Sequence, residues 1–126
     1  MKVTINDVIA LREIYPKFKD RYLPIKASYK LAKIFKAVDE NYEFYTEKLN
    51  EIVNEYAQRD ENGNIVQTEG GTGIKVQQNK IEECNEKLNE LSELEVDLPD
   101  MKLSIDDFGE FDFSVEQMVI LEKILE

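Results

Sequence analysis

Residues 25–58, IKASYKLAKIFKAVDENYEFYTEKLNEIVNEYAQ, contain neither glycine nor proline. Along them Leu31, Phe35, Val38, Tyr42, Tyr45, Leu49, Ile52 and Tyr56 recur at spacings of 4, 3, 4, 3, 4, 3 and 4. That rhythm holds one apolar seam on one side of a helix, as in a heptad repeat. At 1.5 Å rise per residue such a helix is about 50 Å long. A domain of this size does not need that length, so part of the helix must project or pack along another helix. The stretch 79–94, NKIEECNEKLNELSEL, supplies one. Its Ile81, Cys84, Leu88 and Leu91 continue the rhythm at 3, 4 and 3, and Asn79 with Glu82 has capping-box spacing. An antiparallel helical hairpin would bury both seams. Homodimerisation along the long helix is the alternative, but it leaves the shorter seam without a partner.

The segment between the two helices reads as an inserted β-hairpin over 60–78. Asn62-Gly63 marks a turn, Ile65-Val66 and Ile74–Val76 are strand candidates, and TEGGTG is the tip.

Outside the hairpin, one device is used twice. MKVTINDV (1–8) and MKLSIDDF (101–108) share Met, Lys, Ile and Asp at matching positions. In each, two alternating apolar residues suggest a short strand, and a helix start is then capped by Asn6, or by Thr4 with Asp7, in the first copy and by Ser104 with Asp107, or by Asp106, in the second. The two strands are expected side by side in one small sheet, with Val8, Ile9, Leu11 and Ile14 forming the apolar face of the first helix. EVDL and MKLSI, flanking Pro99-Asp100, offer a further strand–turn–strand. The end, SVEQMVILEKILE, has Ser114 and Gln117 at capping-box spacing. Its Val115, Met118, Val119, Leu121 and Ile124 leave little polar face, so this apolar helix is buried or offered to a partner. The expected fold is therefore α+β, mainly α, in a single domain over 1–126. A strand and short helix fill 1–24, the hairpin fills 25–94, and strand(s) plus the C-terminal helix fill 95–126.

Composition narrows the chemistry. The 126 residues are 42% apolar and 34% charged, as suits a helix-rich globular chain. No apolar run approaches the roughly 20 residues of a membrane span, and no signal peptide pattern is seen at the N-terminus. With a single cysteine, a cytoplasmic setting is expected. There is no histidine, so Cys/His zinc sites and histidine-based triads are excluded. Carboxylates, tyrosines and lysines remain as possible catalysts, and no spacing singles out a carboxylate pair. Cys84 lies on the seam and reads as a buried thiol.

Two loops resemble ligand motifs. QRDENGNIVQTE (58–69) places Asp60, Asn62, Gly63, Ile65 and Glu69 at positions of a calcium loop, but begins with glutamine and runs into Gly70-Gly71 instead of a helix. Gly70-Gly71-Thr72-Gly73 precedes the strand-like IKV, whereas a phosphate loop feeds a helix N-terminus. A polar turn and a hairpin tip explain both, and no cofactor or metal is expected.

The net charge of −11 is unevenly spread. Residues 1–36 carry nine Lys/Arg against three Asp/Glu, and residues 37–126 carry seven against twenty-four. Such a chain can pair with itself, within or between copies, while most of it repels nucleic acid. Lys17, Lys19, Arg21, Lys26, Lys30 and Lys33, interleaved with Tyr15, Phe18, Tyr22 and Tyr29, form the basic head. A solvated lysine face over core aromatics is the plain reading of this group, and a site for an acidic protein is the functional one.

LPIKASYKLAKIFKAVDENYEFYTEKLNEIVNEY, followed by DENGNI, a glycine-rich tip and EVDLPDMKLSIDDF, resembles a family of small phage and prophage proteins without assigned activity. The likeness is one of layout and short words across nearly the whole chain. Pro24, Lys26, Tyr29, Leu31 and Lys33 are among the shared words, and they coincide with the basic helix start. The resemblance carries over no catalytic residue. It implies a viral or prophage origin and a non-enzymatic role, in the host bacterial cytoplasm or in the virion. A virion or assembly accessory is the leading expectation, with a phage structural protein or another copy as partner. An acidic inhibitor of a host anti-phage defence protein, acting through 39–61 and 82–112, is the alternative. A small carboxylate-dependent enzyme ranks third.

Overall fold

The structure, a computed structural model, describes residues 1–71, 73–109 and 111–126. The fold is α+β and mainly α. Strand β1 (Lys2–Thr4) leads directly into α1 (Ile5–Ile14), and a 3₁₀ turn at Tyr15–Lys17 accommodates Pro16. The long helix α2 (Ile25–Tyr56) follows, then α3 (Ile81–Glu93), strand β2 (Glu95–Asp97) and the short α4 (Val115–Leu121). The chain divides into two compact units. Met1–Glu43 with Leu94–Glu126 make the first, Phe44–Glu93 make the second, and α2 passes from one to the other.

In the first unit the helix starts are held by their own side chains. Thr4 Oγ1 accepts from the Asp7 N–H at 3.2 Å while the Thr4 N–H donates to Asp7 Oδ2 at 2.9 Å. The second copy of the motif repeats the second of these bonds, from Ser104 N–H to Asp107 Oδ2 at 2.9 Å, but opens a single 3₁₀ turn, Ile105–Phe108. Gly109, at φ +61°, stops that turn in a conformation that a Cβ disfavours. Ser114 and Gln117 form the third capping box, at the start of α4.

The sheet differs from expectation. β1 pairs antiparallel with β2, in the register Lys2↔Asp97, Val3↔Val96 and Thr4↔Glu95. The Leu103 segment does not join it and instead bridges Leu125 in parallel. The order of the chain explains this. On leaving α3, Leu94 accepts from the Ile5 N–H at 3.0 Å, and Met1 and Leu98 then exchange two bonds at 2.7 and 2.8 Å. The edge beside β1 is filled before Leu103 arrives, and Leu103 pairs with the chain end, its N–H donating to Ile124 O at 2.8 Å.

The core of this unit is continuous. Val8, Leu11 and Ile14 of α1 meet Leu31, Ile34, Phe35 and Val38 of α2, with Leu98, Leu103, Leu121 and Ile124 closing it. Phe18 joins a cluster of rings in which Phe35, Phe108, Phe111 and Phe113 have centroids 5.5–6.0 Å from its own. α4 is only partly buried: Leu121 is sealed, and Val115 and Val119 face solvent.

In the second unit the end of α2 and α3 are the antiparallel arms of the hairpin. The joining segment is more than a two-stranded ribbon. Gln58 N–H donates to Lys75 O at 2.8 Å, Lys75 N–H to Val66 O at 2.9 Å, and Val66 N–H to Gln58 O at 2.8 Å. These three bonds close a triangle. Its sides are the antiparallel bridges Ala57↔Val76, Arg59↔Ile65 and Gln67↔Ile74. Three segments along a common axis cannot all be antiparallel to one another, since two partners of one strand run parallel. The segments must therefore cross at large angles, and each pair keeps a single bridge. The expected hairpin thus gains a third side from the residues just after α2.

Tyr56, Ala57, Cys84 and Leu91 are the buried side chains described in this unit. Tyr45, Leu49, Ile52 and Leu88 are half-buried. Ile81, expected on the seam, is 47% exposed. It is the first residue of α3, and side chains lean toward a helix N-terminus, so this one points past the last turn available to cover it. Asn79 lies inside a 3₁₀ turn, Gln78–Lys80, and is not the residue that starts α3.

Candidate interaction surface

The first turns of α2 sort their side chains cleanly. Ala27, Leu31, Ile34, Phe35 and Val38 turn into the core, and at 3.6 residues per turn the opposite side falls to Ile25, Lys26, Tyr29, Lys33 and Lys36. All five are exposed, Ile25 at 87% and Tyr29 at 55%. Lys30 sits at the margin of this face, half-buried, and donates to Lys102 O at 3.1 Å. No carboxylate occurs between Ile25 and Val38, so Lys26, Lys30 and Lys33 have no acidic neighbour three or four residues along the helix, whereas Lys36 has Asp39 and Glu40 at those spacings. The Lys33 ammonium lies 5.5 Å from the Tyr29 ring centre, a spacing for cation–π attraction. Lys36 belongs to this face by position, although the sequence reading stopped at Lys33. The same three-and-four spacing, continued one step, identifies it.

Other members of the basic head are placed differently. Lys17 reaches Gln117 Oε1 at 3.4 Å and stands 5.0 Å from the Phe113 ring centre, and Arg21 stands 5.3 Å from that of Phe111. Both cations line a cleft of about 740 Å³ with Asp20, Asp112, Tyr22 and Phe108, so cations and carboxylates face the same space. Lys19 is exposed. Of the four aromatics interleaved with the head, Phe18 is buried and Tyr15 is half-buried, with its ring 4.7 Å from that of Phe35. Tyr22 and Tyr29 stay on the surface.

Folding also changes the charge picture. The basic N-terminal residues share a unit with residues 94–126, which carry two Lys/Arg against ten Asp/Glu. The first unit therefore holds eleven basic and sixteen acidic residues, and the second holds five and eleven. The basic head is a local face on an acidic unit. On α3 the counterpart is equally local. Glu82, Glu86, Glu90 and Glu93 are exposed and recur at 4, 4 and 3, on the side away from Cys84 and Leu91.

The loops that resemble ligand motifs have local roles. Asp60 Oδ1 accepts from the Asn62 and Asn64 N–H groups at 2.9 and 3.0 Å, which caps its own turn. Gly63 completes the turn at φ +82°, and Arg59 donates to its carbonyl at 2.9 Å. No three Cys, Asp or Glu side chains gather as a metal site among the described residues. Thr72, central to the glycine-rich tip, lies outside the described residues, as does Glu110 within the acidic stretch 82–112. Gly73 leads to the bridged Ile74, not to a helix.

Among the described residues two ionisable groups are shifted, both in the second unit. Burial, with the nearby Glu83 and Glu55 carboxylates, pushes the Tyr56 phenol up to about 12. Its hydroxyl is sealed from solvent, and the contact to Glu83 falls short of good hydrogen-bond geometry. Burial also raises the Cys84 thiol, which disfavours the reactive thiolate. No helix among the described residues is long and apolar enough to cross a membrane. Comparison of the chain with protein-family models, curated proteins and solved structures finds no match.

Proposed function

We propose that this protein is a non-enzymatic phage or prophage protein that works by binding other proteins, as an accessory of virion structure or assembly. One observation carries the reading. The first three turns of α2 hold Ile25 and Tyr29 in solvent beside Lys26, Lys33 and Lys36, and a stable monomer gains nothing from apolar groups kept there. A partner with an acidic rim and an apolar centre would cover both. The resemblance in layout to phage and prophage proteins supplies the context, with the host bacterial cytoplasm or the particle as the place of action.

The test is retrieval of tagged protein from cells producing phage particles, with mass spectrometry of what it holds. Particle proteins retained by the wild type and lost on changing Lys26, Lys30 and Lys33 together to glutamate would support the accessory role. Retrieval with no particle protein in either case would overturn it. The exposed glutamates of α3 favour a second reading, an acidic inhibitor of a host anti-phage defence protein. One host defence protein, held in stoichiometric amount and released by changing those glutamates, would establish that reading instead.

A further inference from the structure

We infer that the lysine face of α2 docks on the glutamate face of α3 in a second copy of this chain. The inference rests on the protein-binding reading and names the partner. Lys26, Lys30, Lys33 and Lys36 span ten residue steps, about 15 Å of helix. Glu82, Glu86, Glu90 and Glu93 span eleven steps, about 17 Å. The two rows are thus opposite in sign and match in number and length. Neither row contains the opposite charge: Lys87 is the one cation between Glu82 and Glu93, and it lies to one side, about 105° round the helix from the centre of the row and three residues from Glu90. None of the eight side chains forms an ion pair among the described residues. Exposed pairs contribute little singly and need several together to matter, which a four-by-four match provides. Ile25 and Tyr29 border the lysines and would add apolar contact at the same interface.

A second copy fits this face better than nucleic acid does. The unit that carries the lysines is acidic in sum, so a polyanion following the row would soon meet repulsion, whereas one helix face of matched length would not. The two rows are different patches of one chain. Docking is therefore either reciprocal, which closes a dimer, or successive, which makes a ring or filament.

The experiment is mass by light scattering across protein concentration, at low salt where the screening length exceeds about 10 Å and again at high salt. Wild type should associate at low salt and dissociate at high salt. Changing the four lysines to glutamate, or the four glutamates to lysine, should each weaken association at least about tenfold. Mixing these two variants should restore a complex, which a variant that had merely misfolded could not do. A wild type that stays monomeric at low salt, variants that associate like wild type, or a mixture that fails to associate while both variants keep native circular dichroism, would overturn the inference. These results separate it from the accessory role. A monomer that still retrieves particle proteins through the lysine face loses self-docking alone. A self-docking chain that retrieves none loses the accessory role alone.

Discussion

The first unit seals sixteen side chains among its seventy-six residues, and the second seals four among fifty, counted over the described residues. Both are ordered by one continuous helix, so the contrast lies in what holds each together. In the first, aliphatic groups of α1, α2 and the C-terminal segment exclude water from one core, the dominant stabilising effect in folding. In the second, a ring of three backbone hydrogen bonds and two amphipathic helix ends share the task over mostly half-buried groups. Backbone bonds exchange water partners for protein partners at modest net gain. The second unit should therefore be the softer of the two, well defined in shape but closer to local opening.

The largest test of that contrast is a pair of core truncations. Leu103→Ala or Ile34→Ala, fully buried in the first unit, should lower stability by about 2–5 kcal/mol in denaturant titration. Leu49→Ala, half-buried in the second, should cost about 1 kcal/mol. Equal losses would erase the distinction between the units. Amide hydrogen exchange sharpens it next. The N–H groups of Gln58, Val66 and Lys75 close one triangle and should exchange together, at least about tenfold faster than those of Val8 and Leu11. Three separate rates would show that the triangle does not open as a unit.

A subtler difference concerns pH. The Tyr56 phenol titrates at about 12 in the folded chain, against 10.0 for an unhindered tyrosine. The unfolded chain loses that proton first, so its contribution to stability is present below pH 10 and is lost as pH rises through 12. Tyr56→Phe should remove that part of the alkaline decline and leave stability near pH 7 little changed, because the deleted hydroxyl has no well-formed hydrogen bond to lose. Parallel alkaline curves for the two proteins would disprove the assignment. The smallest effect belongs to the lysine face. Lys26, Lys30 and Lys33 changed together to glutamate should shift stability by no more than about 0.5 kcal/mol per site, because none is in the core. A cooperative loss of the fold would make those lysines structural and remove the binding surface proposed above.

Much of this was legible along the chain. The 25–58 seam marked a helix that ends at Tyr56, Asn62-Gly63 marked a turn, and Thr4/Asp7, Ser104/Asp107 and Ser114/Gln117 formed the capping boxes that their spacing announced. These features depend on residues three or four apart, where backbone geometry alone brings the groups together. The outward face of α2 was legible for the same reason, as far as Lys33. Less could be read where short segments choose partners. β1 has three residues, too few for an alternating pattern to prefer β2 over the equally patterned Leu103 segment.

The sequence by itself determined the course of the helices, the capping boxes at Thr4, Ser104 and Ser114, the buried face of α2 and its lysine face as far as Lys33, because each follows from local spacing and side-chain chemistry. Asn79 and Ile81 at the start of α3 did not take the places their spacing announced. The tertiary structure alone decided that β1 pairs with β2, that a third segment closes the triangle, and that the basic N-terminal residues share a unit with the acidic C-terminal ones. Those outcomes depend on which of several similar segments reaches a free hydrogen-bonding edge in three dimensions, and local spacing carries no record of that.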